Sequence, residues 1–276
     1  MAIKDALLYI SPIAGDEMTA RFAAGLAQSF GTEITGLTFA FDAAYPAGLD
    51  TRVPDEPLQK LRDKNREDAI VAMTHAKGIF DQGTSKFISV IETCSTGEAI
   101  DSFVEYARLR DIAILPNRGE KLQIERPLIE AVLFGSGLPV VLIPEDGKTT
   151  FAIDRILIAW DYSRVAARAV SDAMPLLAKA KRVHIVTVTD DKELRPRMDA
   201  HELARHLSRH GVVVVVDQAL RGNMSIGDAL FRQAAGIDAD LLVMGGFGHS
   251  RLRDFILGGA TQQILAWAPL PILMSH

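Results

Sequence analysis

The chain reads as an α/β protein: two tandem open-sheet halves, each with five parallel strands and helices on both faces. Three observations predict this. Short apolar runs alternate with longer stretches of helical periodicity along the whole sequence. Most of the short runs are continuous Val, Ile and Leu, not alternating apolar and polar, which suits strands covered on both faces by helices. The plan also repeats: residues 5–11 read like 155–161, 111–115 like 240–244, and 138–143 like 270–274.

Asp5 heads the first strand, residues 5–11. Residues 18–30 put Phe22, Ala23, Leu26, Ala27 and Phe30 on one helical face. A strand at 33–39 follows, then the polar segment 50–77, with Pro54, Pro57 and a charged helix pattern from Leu58 onward. Strand 86–91, helix 98–108 and strands 111–115 and 138–143 complete the first half. Residues 144–150 are polar and turn-rich and join the halves, placing the boundary between units 1–147 and 148–276. The second half begins with strand 155–161 and a helix at 165–180 that Pro175 should kink or restart. Strand 182–188, a polar helix at 198–210, strand 212–217 and helix 226–235 come next. Strand 240–244, a last helix at 262–267 and strand 270–274 end the chain. The offset between halves falls from 150 residues at the first strand to 129 at the fourth. The first half therefore carries about 21 extra residues, placed in 50–77.

Composition narrows the function classes. With 276 residues, 48% apolar and 24% charged, the chain is globular and long enough for about two domains. The net charge of −5 argues against binding duplex nucleic acid, which needs a basic face. Residues 1–150 carry net −7 and 151–276 net +2, so an anionic small molecule would favour the second half; chance variation in solvated surface explains the difference as well. No run approaches the ~18 apolar residues of a membrane span, and no membrane partner is expected. The opening Met1-Ala2-Ile3-Lys4-Asp5 lacks the pattern of a secretory leader. Cys94 is the sole cysteine, which excludes an intramolecular disulfide and a cysteine zinc site and fits a cytoplasmic setting.

One segment carries chemistry. In open parallel sheets ligands bind beyond the carboxyl ends of the strands, where strand order reverses. The fourth strand of the second half runs into Gly245-Gly246-Phe247-Gly248-His249-Ser250-Arg251; nine residues separate Gly248 from Gly258, and Gly258-Gly259-Ala260-Thr261 opens the last helix. Glycines let backbone approach a ligand, and free N–H groups at a helix start attract anions. Each helix-end contribution is about 0.3–1 kcal/mol, so several donors must act together. The alternative is a tight turn and a helix cap with no ligand. The segment is neither a Walker A loop, having no Gly-Lys-Ser/Thr, nor the Gly-x-Gly-x-x-Gly fingerprint, whose third glycine is replaced by Arg251.

The spacing Gly245-x2-Gly248-x9-Gly258, followed by Gly259-Ala260-Thr261 and a Pro271-containing last strand, resembles the nucleotide-binding signature of the universal stress protein family. The whole chain is similar to the family's tandem form, strongly over 152–276 and weakly over 1–150. The resemblance implies a strand order of 3-2-1-4-5 in each half, with ATP or AMP at the switch between strands one and four and Mg as a candidate companion ion. Asp161 matches an acidic residue that contacts the nucleoside, and Val188 a position whose backbone contacts adenine. Gly245 and Gly248 match the loop beside ribose and phosphates; Gly258, Gly259, Ala260 and Thr261 match the phosphate cradle. The family usually has Ser or Thr after the third glycine, where this chain has Gly259, so one hydroxyl donor is lost. From the residues alone, Asp161 can accept from a ribose hydroxyl or an adenine amino group, or can cap the helix start locally. His249 and Arg251 can meet phosphate oxygens or remain solvated. The resemblance further implies that the halves pack through their last strands as a pseudo-dimer, and that whole chains can pair as a homodimer.

The first half reads as having lost the site. Ser11-Pro12 stands where Asp161-Tyr162 does, Pro116-Asn117-Arg118-Gly119 replaces Gly245 to Gly248, and Arg126-Pro127-Leu128-Ile129 replaces Gly258 to Thr261. Side chains refill the space and a proline removes a donor. Arg118, Lys121 and Arg126 leave open another anion; a purely structural half is the alternative. Glu202, His206 and His210 repeat every four residues, but a straight row on one helix cannot close a metal site, so a solvated face is expected. Trp160 and Trp267 read as packing residues. No metal site and no catalytic set stand out. The leading reading is an adenine-nucleotide-binding, regulatory or stress-protective protein; a slow ATPase or nucleotidyl-transfer enzyme and a ligand-free partner-binding scaffold are the rivals.

Overall fold

The structure, a computed structural model, describes residues 2–12, 17–42, 56–83, 85–118, 124–145, 151–188, 199–247 and 259–276. The first half is built as β1 (Asp5–Tyr9), α1 (Glu17–Phe30), β2 (Glu33–Phe41), α2 (Glu56–Phe80), β3 (Phe87–Cys94), α3 (Thr96–Ala107), β4 (Ile112–Asn117), α4 (Glu125–Gly135) and β5 (Val140–Pro144). The second is β6 (Arg155–Ala159), α5 (Arg164–Leu177), β7 (Arg182–Val188), α6 (Ala200–Arg209), β8 (Val214–Ala219), α7 (Ile226–Gly236), β9 (Leu241–Gly245), α8 (Gly259–Ala266) and β10 (Ile272–Ser275).

All ten strands form one sheet in the order β3-β2-β1-β4-β5-β10-β9-β6-β7-β8. Each half is thus 3-2-1-4-5 and internally parallel. The two join where β5 and β10 run antiparallel, with Val141 opposite Leu273. This is the last-strand packing that the resemblance implies. Apolar side chains alternate between two cores because successive strand residues point to opposite faces. Ala6, Leu8 and Ile10 face α1 and α2, continuous with the layer under α5 and α6; Leu7 and Tyr9 face α3 and α4, continuous with the layer under α7 and α8.

Both cores cross the seam. Phe151, just before β6, meets Phe22 and Phe30 of α1 at ring-centroid distances of 5.1 and 6.4 Å. Lys179 donates to the Ser29 carbonyl, satisfying a group near the end of α1, and lies 4.1 Å from the Phe30 ring centroid. Buried Asn117, ending β4, donates to the Ile264 carbonyl at 3.1 Å. Ile264 lies within the last four residues of α8, whose carbonyls lack intrahelical partners, so one half caps the other's last helix.

Several sequence expectations shift. Most of the extra length of the first half lies in α2, which has 25 residues against 10 in α6. Pro175 does not restart α5: the helix runs continuously from Arg164 to Leu177, with Pro175 in its last turn beside buried Leu176 and Leu177. Strand β8 begins at Val214, two residues later than the apolar run suggests. Trp267 is 60% exposed, edge-on to Phe231 at 5.5 Å, and so is no core residue, whereas Trp160 packs against the α5-side core.

Gly25 shows how tightly the seam is packed. A β-carbon there would lie 2.4 Å from Phe151 Cβ, whereas one at exposed Gly78 in α2 would meet nothing within 4 Å. Alanine in place of helical glycine gains up to ~1 kcal/mol, while overpacking loses ~1–3 kcal/mol. Urea denaturation should therefore find Gly25→Ala less stable by about 1–2 kcal/mol and Gly78→Ala more stable by about 0.5–1 kcal/mol.

Candidate functional site

In the second half, strand order reverses between β6 and β9, whose pairing sets Ile156 opposite Leu241. After β6 the chain passes through Trp160 and exposed Asp161 to Tyr162, whose φ is +62°. Asp161 Oδ1 accepts the Ser163 N–H at 3.0 Å, and Ser163 Oγ accepts the Ala166 N–H at 3.1 Å as the N-cap of α5. Local capping therefore uses one oxygen of Asp161. The other has no hydrogen-bond partner among the described residues, and the carboxylate faces solvent. Tyr162 rests edge-on against Trp160 at 5.8 Å.

After β9, the glycines do close structural work. A β-carbon on Gly245 would lie 2.6 Å from the Ala166 nitrogen and 2.7 Å from the Val165 carbonyl carbon. One on Gly246 would lie 2.8 Å from Met274 Cγ. Gly245 lets the first turn of α5 sit against the end of β9, and Gly246 clears β10. The amides here are engaged: Gly246 donates to the Ser275 carbonyl at 2.8 Å, and Phe247 to Thr261 Oγ1 at 3.4 Å. Donors freed by missing side chains thus do not lie at Gly246 or Phe247. Helix α8 begins at Gly259, and a helix start carries N–H groups without intrahelical partners.

Phe247 is buried yet has φ +54°. Among the described residues three non-glycine residues have positive φ, and two of them, Tyr162 and Phe247, flank the switch; the third is Asp238. Such a conformation costs on the order of 1–3 kcal/mol and persists where surroundings over-determine it. Phe247 is surrounded by Phe134 of α4 at 4.9 Å between ring centroids, the Thr261 hydroxyl, and a Gly246 carbonyl that faces His276 Nδ1 at 3.0 Å.

The structure thus brings Asp161, Gly245 and Thr261 around one switch. Thr261, 5% exposed, accepts from Phe247 and keeps its own O–H to donate. Val188 ends β7, half-buried against the α7-side core. Gly259 and Ala260 are described as the first residues of α8. Gly248, His249, Arg251 and Gly258 lie outside the described residues. Sequence reasoning missed Tyr162 and Phe247, since large aromatics carry no signal for left-handed backbone. It also missed the reach of Phe134 and Asn117 from the first half, for which only the joined last strands offered a hint.

At the equivalent positions the first half is filled. Pro12 stands for Tyr162 and Arg118 for Phe247. Arg118 Nη1 donates to Glu125 Oε1 at 3.2 Å, with the side chains 5% and 3% exposed. A buried pair is broken at a loss of ~3–5 kcal/mol when one partner is removed. Arg118 is therefore committed to Glu125, Arg126 pairs with Glu130 at 3.4 Å, and Lys121 lies outside the described residues. A hollow of about 570 Å³ touches Lys4, Gln28, Gly31, Glu33 and Lys86, but at the amino ends of the strands, opposite to where parallel sheets take ligands.

Over an alignment of 131 residues, covering 43% of this chain and 96% of the relative, the protein is 30% identical to a universal stress protein of Thermus aquaticus. The model of the universal stress protein family matches residues 152–276. The chain belongs to the universal stress protein family. A universal stress protein of Synechocystis is 25% identical over 218 residues, 76% of this chain and 72% of that one. In fold, the chain is similar to a universal stress protein of Archaeoglobus fulgidus, with a TM-score of 0.72 at 17% identity, over 98% of this chain and 95% of that structure. Family membership and the ten-stranded sheet together make this a tandem universal stress protein.

Among the described residues no three His, Cys, Asp or Glu side chains gather to hold a metal, and no helix is long and apolar enough to cross a membrane. His206 and His210 meet each other edge-on at 5.0 Å on α6. Cys94, ending the edge strand β3, has its thiol pKa raised by burial and then by the Glu92 and Glu98 carboxylates. A raised pKa keeps the neutral thiol at neutral pH, and the thiolate is the nucleophile. Iodoacetamide should therefore modify Cys94 more slowly than a free thiol at pH 7.5, and the rate should still be rising above pH 9.

Proposed function

We propose that the second half binds an adenine nucleotide, ATP or AMP, at the switch between β6 and β9, and that the protein acts as a nucleotide-responsive stress protein and not as a dedicated enzyme. One observation carries the reading. The half that retains the glycine signature has left-handed Tyr162 and Phe247 at both strand ends beside the switch, whereas the other half has Pro12 and a buried ion pair. Strain held at one switch and absent from its twin supports a function at the first.

The unpartnered oxygen of Asp161 would accept from the nucleoside, the backbone at Val188 would meet adenine, and the opening N–H groups at Gly259, Ala260 and Thr261 would meet phosphate. Gly248 and Gly258 belong to this reading through the family signature, and His249 and Arg251 through their place in the sequence between those two glycines. The chain divides into units 1–147 and 148–276, the first serving packing and support and the second the ligand.

Calorimetric titration with ATP, ADP and AMP tests the proposal. Binding should saturate near one nucleotide per chain, and Asp161→Ala should weaken it about tenfold, the worth of one hydrogen bond of ~1.4 kcal/mol. Two equivalent sites per chain, or no heat with any of the three, would remove it.

A further inference from the structure

We infer that Phe134, on α4 of the first half, is a positioning residue for the nucleotide site of the second half; the inference rests on the nucleotide reading proposed above. Phe134 is half-buried near the end of α4. Its ring lies 4.9 Å from that of Phe247 and 4.6 Å from that of His276. Those two residues bracket Gly246: Phe247 follows it in sequence, and His276 Nδ1 lies 3.0 Å from its carbonyl oxygen. Phe247 in turn donates its amide to Thr261 in the first turn of α8. A contiguous line of contacts therefore runs from the first half through the end of β9 to the helix opening that would face the phosphates.

The direction of this dependence follows from the backbone. Phe247 has φ +54°, where a β-carbon is disfavoured, so its conformation must be imposed from outside. The Thr261 hydroxyl, at 3.4 Å, is a long hydrogen bond and a weak restraint by itself. The tilted ring contact with Phe134, at 49° between planes, pins the side chain and with it the backbone twist. At the pseudo-equivalent place in the first half, Arg118 is fixed by Glu125 instead, so this support serves one switch only. The first half thus contributes to a ligand site that it no longer has itself.

The experiment is nucleotide titration of the full-length protein with Phe134→Ala, Phe134→Tyr, Phe247→Gly and the Phe134→Ala/Phe247→Gly pair, using AMP and ATP as probes. Phe134→Ala should weaken binding about five- to tenfold, and Phe134→Tyr, which keeps the ring, should restore it to within twofold. Phe247→Gly adopts positive φ without support, so adding Phe134→Ala to it should change affinity less than twofold; a merely structural contribution from Phe134 would weaken both backgrounds alike. If Phe134→Ala fails to fold by circular dichroism, Phe134→Leu and Phe134→Met take its place, with a loss of affinity of at least threefold expected. Wild-type binding with no loss on truncating Phe134, or equal losses in both backgrounds, overturns the positioning role and leaves the nucleotide reading standing. No binding by the wild type overturns both.

Discussion

Antiparallel pairing between β5 and β10 is the constraint on which the rest of the molecule depends. Within each half every strand runs the same way, so each has one end suited to ligands. Because the seam reverses direction, those two ends point oppositely across the sheet. The end of β4 consequently meets the last turn of α8, and the end of β9 meets the last turn of α4. Asn117 on the Ile264 carbonyl and Phe247 on Phe134 are the two products of that geometry. One is a polar cap and the other an apolar clasp, on a shared pseudo-twofold plan.

The halves differ in what fills the space after their fourth strands. In the first, a guanidinium and a carboxylate are both nearly sealed from water, a costly arrangement that their pairing offsets. In the second, Gly245 and Gly246 admit neighbouring backbone and Met274, and Phe247 turns left-handed. The glycines of the signature therefore have a structural duty. Gly245 brings the α5 N-terminus against β9 whether or not a ligand is present.

Much of the fold was legible because its signals are local. Continuous apolar runs mark strands covered on both faces, and β7 has the very bounds that its run of Val and Ile suggests. Pro175 does not restart α5: it forfeits one hydrogen bond to the preceding turn two residues before the helix ends, and the buried Leu176 and Leu177 carry the helix past it. The start of β8 misled because Val212 and Val213 continue the apolar run ahead of the first paired residue, Val214, with only the Val213 carbonyl reached by β7, through the Val183 N–H. For the candidate site, the glycines stood out by spacing, and Asp161 by its place after the first strand of the second half and by the family resemblance. The left-handed turns at Tyr162 and Phe247 could not, since tertiary contacts and not residue type impose them. Nor could the Arg118–Glu125 pair, whose burial depends on how α4 closes over β4.

The two apolar layers that continue across the seam have a consequence for the molecule's integrity. Severing the chain between Glu145 and Phe151 would not release two finished pieces. Each fragment would bare an unpaired ladder, at Val140–Pro144 or Ile272–Ser275, flanked by greasy side chains on both sides. Such a margin templates strand addition. Fragments of this protein would be driven to recombine with each other or with their own kind, so that covalent continuity here serves chiefly to guarantee the right mate.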